Sequence, residues 1–138
     1  MNRLLLPAGW PQPKGYANGV AARGTLVAVA GQIGWLPEGR FETDDFVGQC
    51  RQALANVVAV LREAGAGPEH VVRMTWYVTS RREYLAAGRA LGAVYREAMR
   101  GADGTVRYPA MTAVEVGGLM EDRAKVEIEV TAVVPDPV

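Results

Sequence analysis

The residue types that most often attack a substrate or shuttle a proton are scarce in this chain. Cys50 is its one cysteine and His70 its one histidine. A Ser/His/Asp triad, a Cys/His pair or a zinc site would each hang on that single ring or thiol. No intrachain disulfide can form, and a thiolate metal cluster lacks ligands. The chemistry left belongs to carboxylates, hydroxyls, backbone groups and water. Carboxylates stand out in residues 124–134, where Glu127 and Glu129 alternate with apolar side chains at strand spacing. Such a period of two puts Ala124, Val126, Ile128, Val130, Ala132 and Val134 on one face. Lys125, Glu127, Glu129, Thr131 and Val133 take the other.

The elements that must position these acids can be read from the rest of the pattern. Residues 19–23 and 25–33 read as strands meeting at Gly24, the second with a continuous apolar run, Leu26 to Ala30. A helix follows, with Thr43 as its expected N-cap and Asp44 and Asp45 at its positive end. Val47, Cys50, Leu54, Val57 and Leu61 form its apolar stripe, and Gly65, Gly67 and Pro68 stop it. Cys50 therefore belongs to the core. Residues 70–80 read as a strand. Ser80 and Glu83 have capping-box spacing and open a second helix, with Tyr84, Leu91, Tyr95 and Ala98 along one face. Residues 110–116 and 124–134 are expected to be two adjacent strands. The whole is a two-layer α+β fold, a single domain over 1–138, with both helices covering one face of the sheet.

Composition removes several function classes. Basic and acidic residues number 15 each among 138, with lysine only at positions 14 and 125. That balance opposes a nucleic-acid partner, which demands a concentrated cationic excess. No apolar run approaches the roughly 20 residues of a membrane span. The greasy start, Met1 to Leu6, is cut by Pro7 and Pro11 before a signal-peptide core can form. The expectation is a cytoplasmic protein with no membrane partner.

A sheet covered on one side leaves its other face bare. Trp76, Met111, Ala113 and Val133 are the expected apolar members of that face, beside Glu127 and Glu129. A half-apolar face of this kind is more naturally buried between copies of the chain.

Four segments then carry a family resemblance: Gly15-Tyr16-x-x-Gly19-Val20, Val29-Ala30-Gly31-Gln32-Ile33, Tyr108-Pro109-Ala110, and Val114-Glu115-Val116 followed by Val126-Glu127-Ile128-Glu129. In their order and separations the chain resembles the Rid (reactive intermediate deaminase, YjgF-like) family over nearly its whole length. The resemblance implies a chorismate-mutase-like fold with a mixed β-sheet, assembled as a homotrimer with sites in the clefts between subunits. It also implies hydrolysis of enamines and imines such as 2-aminoacrylate to ammonia and a keto acid, with no cofactor and no metal. Deaminating members hold the substrate carboxylate with an arginine directly after the Pro-Ala pair. Here that position is Met111, and a thioether offers neither charge nor donor. The serine often preceding Gly-Gln is Ala30, and a pocket asparagine of the second helix corresponds to Gly92. Tyr16, Gly31 and Glu127 persist.

Imine hydrolysis requires a positioned water and one group that takes a proton and returns it to the departing nitrogen. Glu127 is the catalytic candidate. Tyr16 can donate its phenol to substrate, and the Gly31 N–H can bind an oxygen. Ala30, Trp35, Trp76, Ala110, Met111 and Ala113 are the remaining expected lining, greasier than a three-carbon keto acid needs. The expected function is a C=N hydrolase acting on a small-molecule substrate without the usual α-carboxylate contact. The alternative is a non-catalytic trimer that binds a metabolite as sensor or scaffold. Ribonuclease action is disfavoured, since two lysines and a lone His70 supply no general-acid pair.

Overall fold

The computed structural model describes residues 2–137; Met1, which opens the apolar N-terminal run, and Val138 lie outside the described residues. Two short strands, β1 (Arg3–Leu4) and β2 (Val20–Ala21), pair antiparallel and hold the N-terminal segment against the body. The main sheet contains β3 (Thr25–Ile33), β4 (Val71–Val78), β5 (Ala110–Glu115) and β6 (Val126–Val134), in the order β3-β6-β4-β5. β6 pairs antiparallel with both β3 and β4, whereas β5 runs parallel to β4. The sheet is mixed, as expected.

The two C-terminal strands are not neighbours, which corrects the expected pairing of 110–116 with 124–134. A parallel partner for β4 has to arrive by a crossover, here through the second helical segment, and that delivers β5 to one edge of β4. β6 then inserts on β4's other edge. Burial accords with this order. Val126, Ile128, Val130 and Ala132 are at most 3% exposed, while β5 is mostly exposed along its length. A strand that buried on one face belongs at the centre, and an exposed one belongs at the rim.

Helix α1 (Phe46–Glu63) lays Cys50, Ala53, Leu54, Val57 and Leu61 on the sheet, all at 0% exposure. Burial, with Asp45 and Glu83 contributing less, pushes the Cys50 thiol up to about 12, so it is a core group. The N-cap is Asp45, not Thr43. Asp45 Oδ2 accepts from the Gly48 N–H at 2.8 Å, while Thr43 Oγ1 accepts from the Asp45 N–H at 2.9 Å, too early in the chain to cap the helix. A 3₁₀ turn, Pro68–His70, shortens the strand expected at 70–80, and His70 Nδ1 accepts from the Gly67 N–H at 2.9 Å. Ser80 caps the second helical segment, its Oγ accepting from the Glu83 N–H at 3.1 Å. That segment is two helices, α2 (Arg81–Ala86) and α3 (Gly88–Ala98), parted at Ala87 where Gly88 weakens helix propensity. Leu91, Val94 and Tyr95 of α3 join the same core as α1.

Two buried amides tie the layers together. Gln49, at 0% exposure, donates through Nε2 to the carbonyls of Thr43 and Arg123 and accepts the Lys125 N–H at 2.8 Å. Asn56 donates to the carbonyls of Ile33 and Trp35 at 3.1 and 2.8 Å, fixing the chain just beyond β3. Replacing Gln49 with methionine strands three backbone groups. Urea unfolding should show a loss of about 2–4 kcal/mol, far more than a surface change of similar size.

Candidate active site

The sheet has a helix-covered face and an open face, and the expected site residues divide between them. Across the register, Ile33, Glu127, Tyr77 and Val114 form one row, and Gln32, Ile128, Trp76 and Ala113 the next. Met111 pairs with Met74 and packs against the core. Trp76, at 3% exposure, points with Met74 and Val78 into the core beneath the helices. Trp76, Met111 and Ala113 therefore occupy the helix side and its rim, correcting their expected place on the open face. The reason lies in β4, whose Arg73, Thr75 and Tyr77 alternate with the buried set and turn outward. Val133 does lie on the open face, with Leu26 (66% exposed) as its cross-strand partner; Val114 (41%) is exposed on the same face at the other end, in the Glu127 row.

Glu127 stands half-buried on the open face, over a break in the β3–β6 ladder. The register shifts between Val29 and Gln32, so Ala30 and Gly31 form a bulge opposite Glu129, and the Glu127 side chain, whose own backbone partner is Ile33, leans over Gly31. The close approach needs glycine. An ideal Cβ on Gly31 would collide with Glu127 Oε2. Gly31→Ala should therefore displace the carboxylate, and an imine-hydrolysis assay should show kcat/KM falling by about tenfold while the fold is retained.

The neighbouring acids are engaged elsewhere. Tyr77 OH donates to Glu129 Oε1 at 2.5 Å, and that bond holds the phenol above its ordinary range. Glu115 Oε1 accepts from the Arg81 N–H at 2.6 Å, and Lys125 pairs with Glu83 at 3.5 Å. Among the described residues Glu127 has no hydrogen bond or ion pair, so it is the uncommitted acid of the three. Tyr77, directly across from it on β4, was not singled out from the sequence. The outward phase of Arg73, Thr75 and Tyr77 was the signal.

The second group surrounds a cavity of about 370 Å³ at the β5 edge. Trp76, Tyr84, Tyr95, Tyr108 and Met111 wall it, and Gly92 and Arg96 of α3 and Lys14 complete it. Trp76 meets Tyr84 edge-on at 6.2 Å, and Tyr95 stacks on Tyr108 at 5.2 Å. Met111 and Gly92, two positions where polar family residues are absent, thus share one cavity. The Trp76 Nε1–H is buried without an acceptor among the described residues.

The remaining expected residues scatter. Tyr16, 43% exposed, lines a different cavity of about 510 Å³ with Tyr108, His70 and the leucines of the N-terminal segment. Ala110 bridges to Ala17, whose N–H donates to the Pro109 carbonyl at 2.9 Å, so the Tyr16 loop borders β5. Trp35 follows β3 and packs on Phe41 at 5.7 Å, lining neither cavity. Arg107 is bound to Asp103 at 2.9 Å and lies away from Met111's cavity. Among the described residues, no group of three or more His, Cys, Asp or Glu is placed to hold a metal. No described helix is long and apolar enough to cross a membrane.

Known proteins are similar to this chain in sequence and in fold. The family model described as Endoribonuclease L-PSP matches residues 11–134. A RutC family protein of Synechocystis is 35% identical over 141 residues, covering 96% of this chain and 97% of its own. A 2-iminobutanoate/2-iminopropanoate deaminase of Salmonella typhimurium is 31% identical over 118 residues, covering 86% of each. Among solved structures, the Rid family protein YyfB of Yersinia pestis, itself of unknown function, superposes with a TM-score of 0.79. It is 29% identical and covers 96% of this chain and 98% of its own.

Proposed function

Because the chain belongs to the Rid/YjgF/RutC family, with its chorismate-mutase-like α+β fold, we propose that it is a homotrimeric enamine/imine hydrolase. Its substrate lacks the usual free α-carboxylate contact, and water is activated by Glu127 in a cleft between subunits. The observation that carries this reading is the uncommitted Glu127 carboxylate over the Gly31 bulge. The deaminase activity for which the Salmonella typhimurium relative is named supports the reaction class.

The division between faces supports a shared site. Glu127 lies on the open face and Met111 on the helix side, so one chain cannot offer both to a small molecule. In a ring of three, the open face of one protomer borders the β5 edge of the next. Glu127 and the Gly31 N–H then come from one subunit, and the aromatic cavity from its neighbour.

In the proposed reaction an enamine first tautomerises to its imine. Glu127 takes a proton from water as the oxygen attacks the C=N carbon, giving a carbinolamine. The same carboxyl returns that proton to nitrogen. The carboxylate then takes the hydroxyl proton and passes it to the same nitrogen as the C–N bond breaks, so the hydroxyl becomes a carbonyl and ammonia leaves. Water supplies the oxygen and both hydrogens needed, so no cofactor enters. The Gly31 N–H holds the developing oxygen.

Purified protein should leave 2-aminoacrylate near its uncatalysed rate while accelerating hydrolysis of its methyl ester, both generated in situ and followed by ammonia release. Strong acceleration of 2-aminoacrylate, abolished in Glu127→Ala, would refute the substrate shift.

A second reading, a binding trimer without catalysis, is favoured by one observation, the thioether of Met111 in the strand wall of the cavity. A bound ligand held away from Glu127 would support it. Ribonuclease action is opposed by His70, whose Nδ1 is occupied by the Gly67 N–H.

A further inference from the structure

The β5-edge cavity contains an unbalanced pair of charges. Lys14 and Arg96 line it, and no aspartate or glutamate does. Neither cation has an ion pair or side-chain hydrogen bond among the described residues, in contrast to Arg107, Arg123 and Lys125, which are paired. Arg96 lies over Gly92 one helical turn earlier, and a Cβ placed there would meet Arg96 Nη1 at 3.1 Å. The bare glycine thus leaves room for the guanidinium to lie along the cavity's helix wall. The other walls are aromatic and aliphatic, with Trp76, Tyr84, Tyr95, Leu91 and Met111 among them. The cavity is rich in donors and positive charge and has an apolar body.

We infer that Arg96, assisted by Lys14, anchors an anionic group of the substrate at the helix wall. The substrate is then an organic anion with an aromatic or aliphatic body whose acid group lies apart from the C=N carbon. Calling the bound molecule a substrate rests on the hydrolase reading; the anion site itself does not. A guanidinium suits the task because its planar fork gives a carboxylate two parallel hydrogen bonds. The exposure of Arg96 keeps the contact moderate and sensitive to salt.

Calorimetry on the intact protein tests this with 4-phenylbutyrate and its neutral isostere 4-phenylbutyramide. At low salt the carboxylate should bind about tenfold tighter than the amide. Arg96→Gln should abolish that preference, leaving amide affinity unchanged, and Arg96→Lys should restore part of it. Lys14→Gln should weaken carboxylate binding about two- to threefold. Neither probe carries a C=N bond, so binding is read without turnover, and a failed hydrolase assay and a failed anion site are separately visible. Equal affinity for the two probes, no binding of either, or an undiminished preference in Arg96→Gln would overturn the inference.

Discussion

Glu127→Gln is expected to lower kcat/KM for imine hydrolysis about a thousandfold, within the range for losing a general acid–base group. The amide is nearly isosteric with the carboxylate but cannot take a proton from water. Glu127 makes no hydrogen bond or ion pair among the described residues, unlike Glu129 and Glu115. Its replacement should therefore shift urea-unfolding stability by less than about 0.5 kcal/mol. Oligomeric mass should be unchanged. Activity and stability would move together if Glu127 were chiefly a structural interface acid. A steep fall in rate with an unmoved unfolding midpoint marks a group used by the chemistry.

Met111→Arg is expected to act in the opposite direction. The methionine lines the aromatic cavity from β5, and an arginine there would offer its fork to a carboxylate attached at the C=N carbon. Hydrolysis of 2-aminoacrylate should rise about a hundredfold in kcat/KM, as expected for one charge-assisted two-point contact in a partly desolvated cleft. Activity on the methyl ester should not rise with it. Equal gains on both substrates would show that residue 111 alters the site generally and does not set selectivity for the carboxylate.

What the sequence revealed and what it concealed follow from how local each signal is. The alternation of Val126, Ile128, Val130 and Ala132 is a property of one strand, and it correctly assigned the buried face of β6 and the outward side of Glu127. The stripe through Cys50, Leu54, Val57 and Leu61 placed α1 for the same reason. Strand pairing is non-local. The short gap between β5 and β6 read as a hairpin, whereas the crossover through α2 and α3 had already committed β5 to β4. The expectation of Trp76 and Met111 on the open face follows from a sheet covered by helices on one side only, and it does not fix the phase of each strand. The phase of Arg73, Thr75 and Tyr77 within β4 was the better guide.

The site was half legible. The resemblance named Gly31 and Glu127 separately, and the structure brings them together, the missing Cβ of Gly31 making room for the Glu127 carboxylate beside the bulge. Tyr77, Gln49 and Arg96 gave weaker signals. A tyrosine in a strand, a glutamine in a helix and an arginine near a helix end are ordinary residues at ordinary positions. The contacts of Tyr77 with Glu129 and of Gln49 with Arg123 join residues that only folding brings together, and Arg96 gains its meaning from a cavity that folding assembles.

The central claim is that each site combines Glu127 of one subunit with the aromatic cavity of another. Subunit complementation tests it most directly. Glu127→Gln lacks the acid, and Gly92→Trp fills the cavity, so each homotrimer should be inactive. Co-refolded in equal amounts, random mixing within trimers should restore about a quarter of parental activity, from sites that draw one intact half from each variant. Mixed trimers no more active than either variant alone would contradict a site built from two chains.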